Sequence, residues 1–245
     1  MASLGTVDSL WRYPVKSMRG EELEEIFVGR GGVRGDRLFA FRSSAARDEF
    51  PYFTAREQRH MLLYHPRLRA SDMNANAALT ADVQTPDGDT LTIDDPELMN
   101  RLRAGVDERH QLTLMRSDRA LADAHPVSLI TLQTVRQLAE EISLPTDKRQ
   151  FRANIYLDMP GTSGFAENEF VGRSLRIGSD VVVSVLERDS RCMMITLDPD
   201  TAAKTPPLLR QVAQSHGGTA GVYASVLVEG TVRRGDAIEL LQPRA

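Results

Sequence analysis

Turn punctuation is the strongest constraint on what this chain can fold into. Short runs of β-branched, aromatic and other apolar residues recur from 7–13 to 237–241, each closed off by glycine, proline, aspartate or serine. Runs of that length with those boundaries read as strands. The clearest signal is Pro86-Asp87-Gly88-Asp89 between 78–85 and 90–93, a hairpin turn flanked by two strands. Further strands are expected at 21–28, 38–41, 61–64, 111–115, 127–130, 172–178, 181–186 and 221–228. Three windows carry helix signals instead. Asp94 or Asp95 caps a helix to about 104, with Pro96 at its first position. Thr131 caps a second through 142, whose Val135, Leu138, Ala139 and Ile142 share a face. Pro206 and Pro207 open a third, which Gly217-Gly218 ends. The fold class is mainly β with helical connections (α+β), in a β-barrel architecture.

At 245 residues the chain can bury one large core or two smaller ones. A polar, small-residue stretch at 117–124 marks the shift, so domains of 1–118 and 119–245 are expected. The net charge is -4 and the arginines are dispersed, which leaves no stripe for a nucleic-acid backbone. No apolar run has the length of a membrane span, and residues 1–8 carry no signal or transit pattern, so a cytoplasmic protein is expected. His60 and His65 lack the one-turn spacing of a helical zinc site and read as structural.

Cys192 is the single cysteine. It allows no intramolecular disulfide and no multi-cysteine zinc or iron–sulfur site. It follows an apolar strand, stands between Arg188, Arg191 and the turn Asp198-Pro199-Asp200, and so differs from an ordinary buried thiol. Neighbouring guanidinium groups favour a thiolate, which is both nucleophile and soft-metal ligand. A structural cysteine is the competing reading. Three other stretches have anion-binding chemistry. Lys16-Ser17 follows Pro14, although those two residues alone read as a solvated pair. Residues 29–37 combine glycines with Arg30, Arg34 and Arg37 but lack the Walker and Rossmann patterns. Residues 151–157 read as a strand with Arg152 and Asn154 on one side, either facing a polar ligand or lying on a half-exposed surface.

Taken in order, these motifs resemble the MOSC family, named for the C-terminal domain of molybdenum cofactor sulfurase. The likeness is to its members with an added N-terminal β-barrel domain, including the amidoxime-reducing ones. Tyr13-Pro14-Val15-Lys16-Ser17, Gly35-Asp36-Arg37 and Thr54-Ala55-Arg56 resemble successive landmarks of that N-terminal domain. Phe151-Arg152-Ala153-Asn154 is similar to a Phe-Arg-Pro-Asn element, with alanine for proline. Ser190-Arg191-Cys192 with Thr196 and Asp198-Pro199-Asp200 is the most specific match, and Gly221-Val222-Tyr223 and 230–236 resemble the closing segment. Ala124-His125 departs from the two small hydroxyl residues of the amidoxime-reducing members.

The resemblance implies a β-barrel MOSC domain, a smaller N-terminal β-barrel domain, and the molybdenum cofactor (Mo-molybdopterin). It implies Cys192 as catalytic residue and metal ligand, and Lys16, Ser17, Arg37, Arg152, Asn154, Ser190, Arg191 and Tyr223 around the pterin and its phosphate. His125 is a further candidate for phosphate contact or proton delivery. The implied activity is reduction of N-hydroxylated compounds (amidoximes, hydroxylamines, N-hydroxylated bases) with electrons from a separate partner protein. The alternative is a non-catalytic carrier of the cofactor or its sulfur. No room remains for the aminotransferase-like desulfurase domain, so no pyridoxal phosphate is expected, and neither nucleic acid nor membrane is an expected partner.

Overall fold

Seven strands close into a barrel in the computed structural model, which describes residues 3–69 and 79–242. The chain order is β1 (Gly5–Arg12), β2 (Glu21–Leu23), β3 (Glu25–Gly29), β4 (Gly32–Val33), β5 (Phe39–Arg47), β6 (Phe50–Phe53), β7 (His65–Leu68), β8 (Ala81–Gln84) and β9 (Thr90–Thr92). After these come α1 (Pro96–Arg103), β10 (Leu112–Arg116), β11 (Val127–Thr131), α2 (Leu132–Ile142), β12 (Ile155–Asp158) and β13 (Ser174–Ile177). The chain ends with β14 (Val181–Ser190), α3 (Pro206–Ser215), β15 (Thr219–Val228), β16 (Gly230–Arg233) and β17 (Ala237–Leu241). The barrel runs β12-β11-β15-β14-β13-β17-β1 and closes where β1 pairs antiparallel with β12; β2 extends it from β1.

Alternation fills the barrel. On β14, Val181, Val183 and Val185 are fully buried while Val182 and Ser184 are less so, the period of two expected of a strand with one inner face. Leu10, Leu129, Ile155, Leu175, Val222 and Ile238 meet them inside. β11 is buried at all five positions, because α2 and α3 cover its outer face through Val135, Leu138 and Val212. β11 and β12 are parallel, with α2 in the connection between them.

A second core belongs to the N-terminal part. The three-stranded sheets β10-β5-β6 and β7-β8-β9, with α1, enclose Phe39, Phe41, Phe53, Val83, Leu98 and Leu102. The hairpin at 86–89 forms as expected, with Val83 opposite Leu91. The start of its first strand, at 78, lies outside the described residues. Asp95 caps α1 by accepting from Glu97 N at 2.8 Å, with Pro96 next in the helix. The two parts interlock: β1 completes the barrel, β2 extends it, and β3 pairs with β16, Phe27 opposite Thr231. A cut at 118 would sever paired strands.

Several expectations are corrected. The run 21–28 is two strands, because β2 pairs with β1 whereas β3 pairs with β16. Residues 61–64 form no strand; Arg59–Leu63 is a 3-10 turn, with Met61 N bonded to Gln58 O at 3.0 Å. Met61 and Leu62 are buried by that turn without a strand partner. Residues 151–154 are not strand either. Lys148–Phe151 is a 3-10 turn with a capping box between Asp147 and Gln150, and Arg152 ends it in the left-handed conformation at φ 53°. Alternation therefore starts only at Ile155. The strand at 181–186 runs on to Ser190 because β15 offers pairing as far as Thr219.

Candidate functional site

The loop after β14 places the thiol. Arg191 N donates to Gly218 O at 2.8 Å, and Cys192 starts a 3-10 turn, Met193–Thr196, closed by Thr196 Oγ1 on Met193 O at 2.7 Å. Gln150 Nε2 holds Ile195 O at 2.8 Å. Beyond it, Asp198 Oδ1 accepts from Asp200 N and Thr201 N, the turn chemistry read from Asp198-Pro199-Asp200. Cys192 itself is half-buried and free.

A cleft between the two parts opens at this thiol. Lys16, Ser17, Arg37, Arg152, Ser190, Arg191 and Tyr223 all line it with Cys192. Asn154 does not. Its Oδ1 accepts from Ser128 N and Ser128 Oγ, and its Nδ2 donates to Trp11 O at 3.3 Å, so this buried amide ties β1 to β11. Arg188 is exposed and lines a different groove, so only Arg191 of the two expected guanidinium groups accompanies the cysteine. Residues that the sequence reading missed or left unassigned are Asp189, Asp123, Gln150 and Arg56. An aspartate two positions before an arginine at a strand end was the available signal for Asp189; nothing local marked Asp123.

Backbone strain concentrates here. Of the six non-glycine residues with positive φ among those described, Ser17 (68°), Arg37 (46°) and Arg152 (53°) all line this cleft. Such conformations cost of order 1–3 kcal/mol each and persist where the surroundings impose them. For Arg37, Asp36 does so: its Oδ1 accepts from Tyr13 N at 2.8 Å and its Oδ2 holds Arg37 Nη1. Arg37 Nη2 reaches Arg152 O at 3.1 Å.

The cleft collects positive charge on a chain that is net negative. Lys16, Arg37, Arg56, Arg152 and Arg191 line it, against Asp123 and Asp189. Lys16 Nζ bonds Asp123 Oδ1 at 2.5 Å and Leu121 O at 2.8 Å; burial still pulls its pKa below the usual lysine value. Arg191 donates to Ala220 O and Phe151 O, and its Nη2 lies 2.7 Å from Asp189 Oδ2. That approach misses hydrogen-bond geometry, so the buried Nη2 has proximity to a carboxylate but no acceptor. Among the described residues Arg152 forms no ion pair with a carboxylate. It donates to Met18 O at 2.7 Å and lies over the Tyr13 ring, and burial, with the Arg37 charge adding to it, pushes its pKa down to about 10. It remains a cation at neutral pH without a directly paired carboxylate among the described residues.

Proton-bearing groups complete the wall. Burial raises Asp189 above the usual carboxylate range although Arg191 opposes it, and the Tyr223 hydroxyl bonds Asp189. Burial and then Asp189 raise Tyr223. His125 Nε2 is 3.1 Å from Glu187 Oε1, and its ring meets Tyr223 edge-on.

The arrangement fits an anionic cofactor with a thiophilic centre. Arg152, with no ion pair among the described residues, and the orphaned Arg191 Nη2 are sites an anion would satisfy. The free Cys192 thiol is the soft donor there that can ionise, beside the Met194 thioether. Among the described residues no group of three His, Cys, Asp or Glu could hold a metal ion alone. A metal at Cys192 would therefore bring its own remaining ligands.

Comparison with known proteins finds two family models along the chain. The MOSC domain model matches residues 116–239, and the MOSC N-terminal beta barrel domain model matches residues 4–125. The chain is 24% identical to mitochondrial amidoxime-reducing component 1 of Mus musculus, over 98% of this chain and 84% of that protein. The Homo sapiens protein of the same name gives the same identity and coverage. Among solved structures, the YUAD protein from Bacillus subtilis superposes with a TM-score of 0.51 over 96% of this chain and 94% of its own, at 12% identity, a likeness of fold.

Proposed function

This chain belongs to the MOSC family, and on that premise we propose that it is a molybdenum-cofactor-dependent oxidoreductase that reduces N-hydroxylated compounds such as amidoximes. The observation that carries the proposal is the free Cys192 thiol in a cleft whose Arg152 forms no ion pair among the described residues. Similarity to the amidoxime-reducing components supports the substrate class.

The molybdenum cofactor, when bound, supplies two-electron oxygen-atom chemistry, and the protein contributes ligation, charge and protons. Cys192 would hold the metal through its thiolate. Lys16, Arg37, Arg152 and Arg191 would neutralise the phosphate, and Ser17 and Ser190 would offer hydroxyls to the pterin. Tyr13 packs under both Arg37 and Arg152 and fixes their planes, at 5.0 and 4.3 Å from ring centroid to guanidinium carbon. Reduction of an amidoxime to an amidine breaks N–O, takes up two electrons and two protons, and releases water. The electrons come from a separate donor protein. His125 lines the wall with its Nε2 held 3.1 Å from Glu187 Oε1, and its other ring nitrogen is the proton donor in this proposal.

The test is molybdenum by elemental analysis, released oxidised pterin by fluorescence, and benzamidoxime turnover with an artificial donor, for wild type and Cys192→Ala. Near-stoichiometric metal and pterin with turnover that Cys192→Ala abolishes is the expected result. A Cys192→Ala protein with full turnover overturns the assignment. Cofactor without turnover, but with transfer to an apo-enzyme, assigns the carrier role instead.

A further inference from the structure

Arg152 is also a wall of a second cleft, which Cys192 does not line. Its space, about 1140 Å³ with the open mouth, is enough for a mid-sized ligand. Two chemistries meet there. Trp11, Leu62, Pro66 and Pro199 give it an apolar surface, and buried Tyr13 packs beside Trp11 at 20° with ring centroids 6.4 Å apart. Arg19, Arg67, Arg149 and Arg152 supply the charge.

That charge is only partly matched within the protein. Arg19 and Arg149 converge on Asp200, and Arg149 also holds Asp147 at 2.7 Å. The lining carboxylates are occupied elsewhere: Glu21 by Arg12 at 2.9 Å, Glu22 by Arg234 at 3.6 Å. Arg67 and Arg152 have no carboxylate partner among the described residues, and the buried Nε of Arg19 meets no acceptor. His65 in the same wall registers the field: burial first, then Arg19 and Arg67, hold it below the usual histidine value.

We propose that this cleft is a second ligand site, for a planar heteroaromatic ring bearing a phosphate, the chemistry of a nucleotide. Rings pack well on aromatic and proline surfaces, and forked guanidinium groups suit phosphate oxygens better than a lone ammonium does. The site stands apart from the cofactor reading, since none of its lining residues except Arg152 belongs to the Cys192 cleft.

Trp11 is the only tryptophan of the chain, so its fluorescence reports on this cleft directly. Adenosine 5′-monophosphate is titrated into the full-length protein, with and without cofactor, exciting on the red edge where adenine is transparent. A saturable change in Trp11 emission is expected in both forms and in Cys192→Ala. Arg67→Gln, which removes an exposed side chain, and the double variant Arg19→Gln/Arg67→Gln are expected to weaken binding, the double at least about tenfold, which is ~1.4 kcal/mol. Adenosine alone binds more weakly. Absence of a saturable change overturns the site. Equal binding by the double variant, or loss of binding on cofactor loading, assigns the signal to the Cys192 cleft and overturns it as well. Inorganic phosphate binding as tightly as the nucleotide rejects the aromatic half of the proposal.

Discussion

Replacing Asp36 with asparagine isolates the electrostatic support of the Cys192 cleft. The Asp36 side chain is fully buried and Arg37 is 16% exposed. An asparagine oxygen can still accept from Tyr13 N, but its NH2 group then faces the Arg37 Nη1 donor. Breaking a buried ion pair from one side costs about 3–5 kcal/mol, because a buried charge is left unmatched. Arg37 keeps the Arg152 carbonyl and the Tyr13 ring, so the lower end applies, about 3 kcal/mol. For a chain of this size that corresponds to roughly 6–12 °C in Tm. Glu25→Gln is the internal control. It also removes a carboxylate from an arginine, Arg233 at 3.1 Å, but both side chains are 60% exposed, and an exposed pair is worth under about 1 kcal/mol. Thermal and urea unfolding of the two variants beside wild type make the comparison. An Asp36→Asn loss below about 1 kcal/mol, or one no larger than that of Glu25→Gln, refutes the reasoning that burial decides the cost.

Gly221→Ala tests how the barrel limits the site: φ is +82°, and a Cβ would stand 2.7 Å from Leu129 O and 3.0 Å from Arg191 Nη2. A loss of about 1–3 kcal/mol, with reduced pterin content in the purified protein, is expected. Leu129→Ala, at the fully buried centre of the barrel, should cost about 2–5 kcal/mol by urea titration without touching the cleft. Glu167 carries a pH dependence. Burial raises its pKa although Thr131 and Thr134 hydroxyls bond it. A folded pKa above the unfolded one means a contribution present in full below the unfolded value and lost as pH rises through the folded value. Stability should therefore fall across that interval in wild type, and Glu167→Gln should flatten the slope in urea titrations at a series of pH values.

The local chemistry of this fold was largely readable from the chain. Turn residues fixed the 86–89 hairpin, Asp95 and Pro96 the start of α1, and Thr131 the cap of α2, because each acts on backbone groups within a few residues. Cys192 and its Asp198-Pro199-Asp200 turn were legible for the same reason. Long-range pairing was not. That β1 closes the barrel on β12, and that residues 21–28 divide between β1 and β16, depends on partners more than a hundred residues away for β12 and β16. Tertiary structure also decided which polar groups face the cleft. Arg152 and Asn154 look equivalent at a spacing of two. A capped turn ends in left-handed Arg152, and Ser128 with the Trp11 carbonyl captures Asn154, so one lines the cleft and the other binds the barrel together. Asp123 became part of the site only when the fold brought it to Lys16, more than a hundred residues away in sequence, since a counter-charge is set by proximity in space.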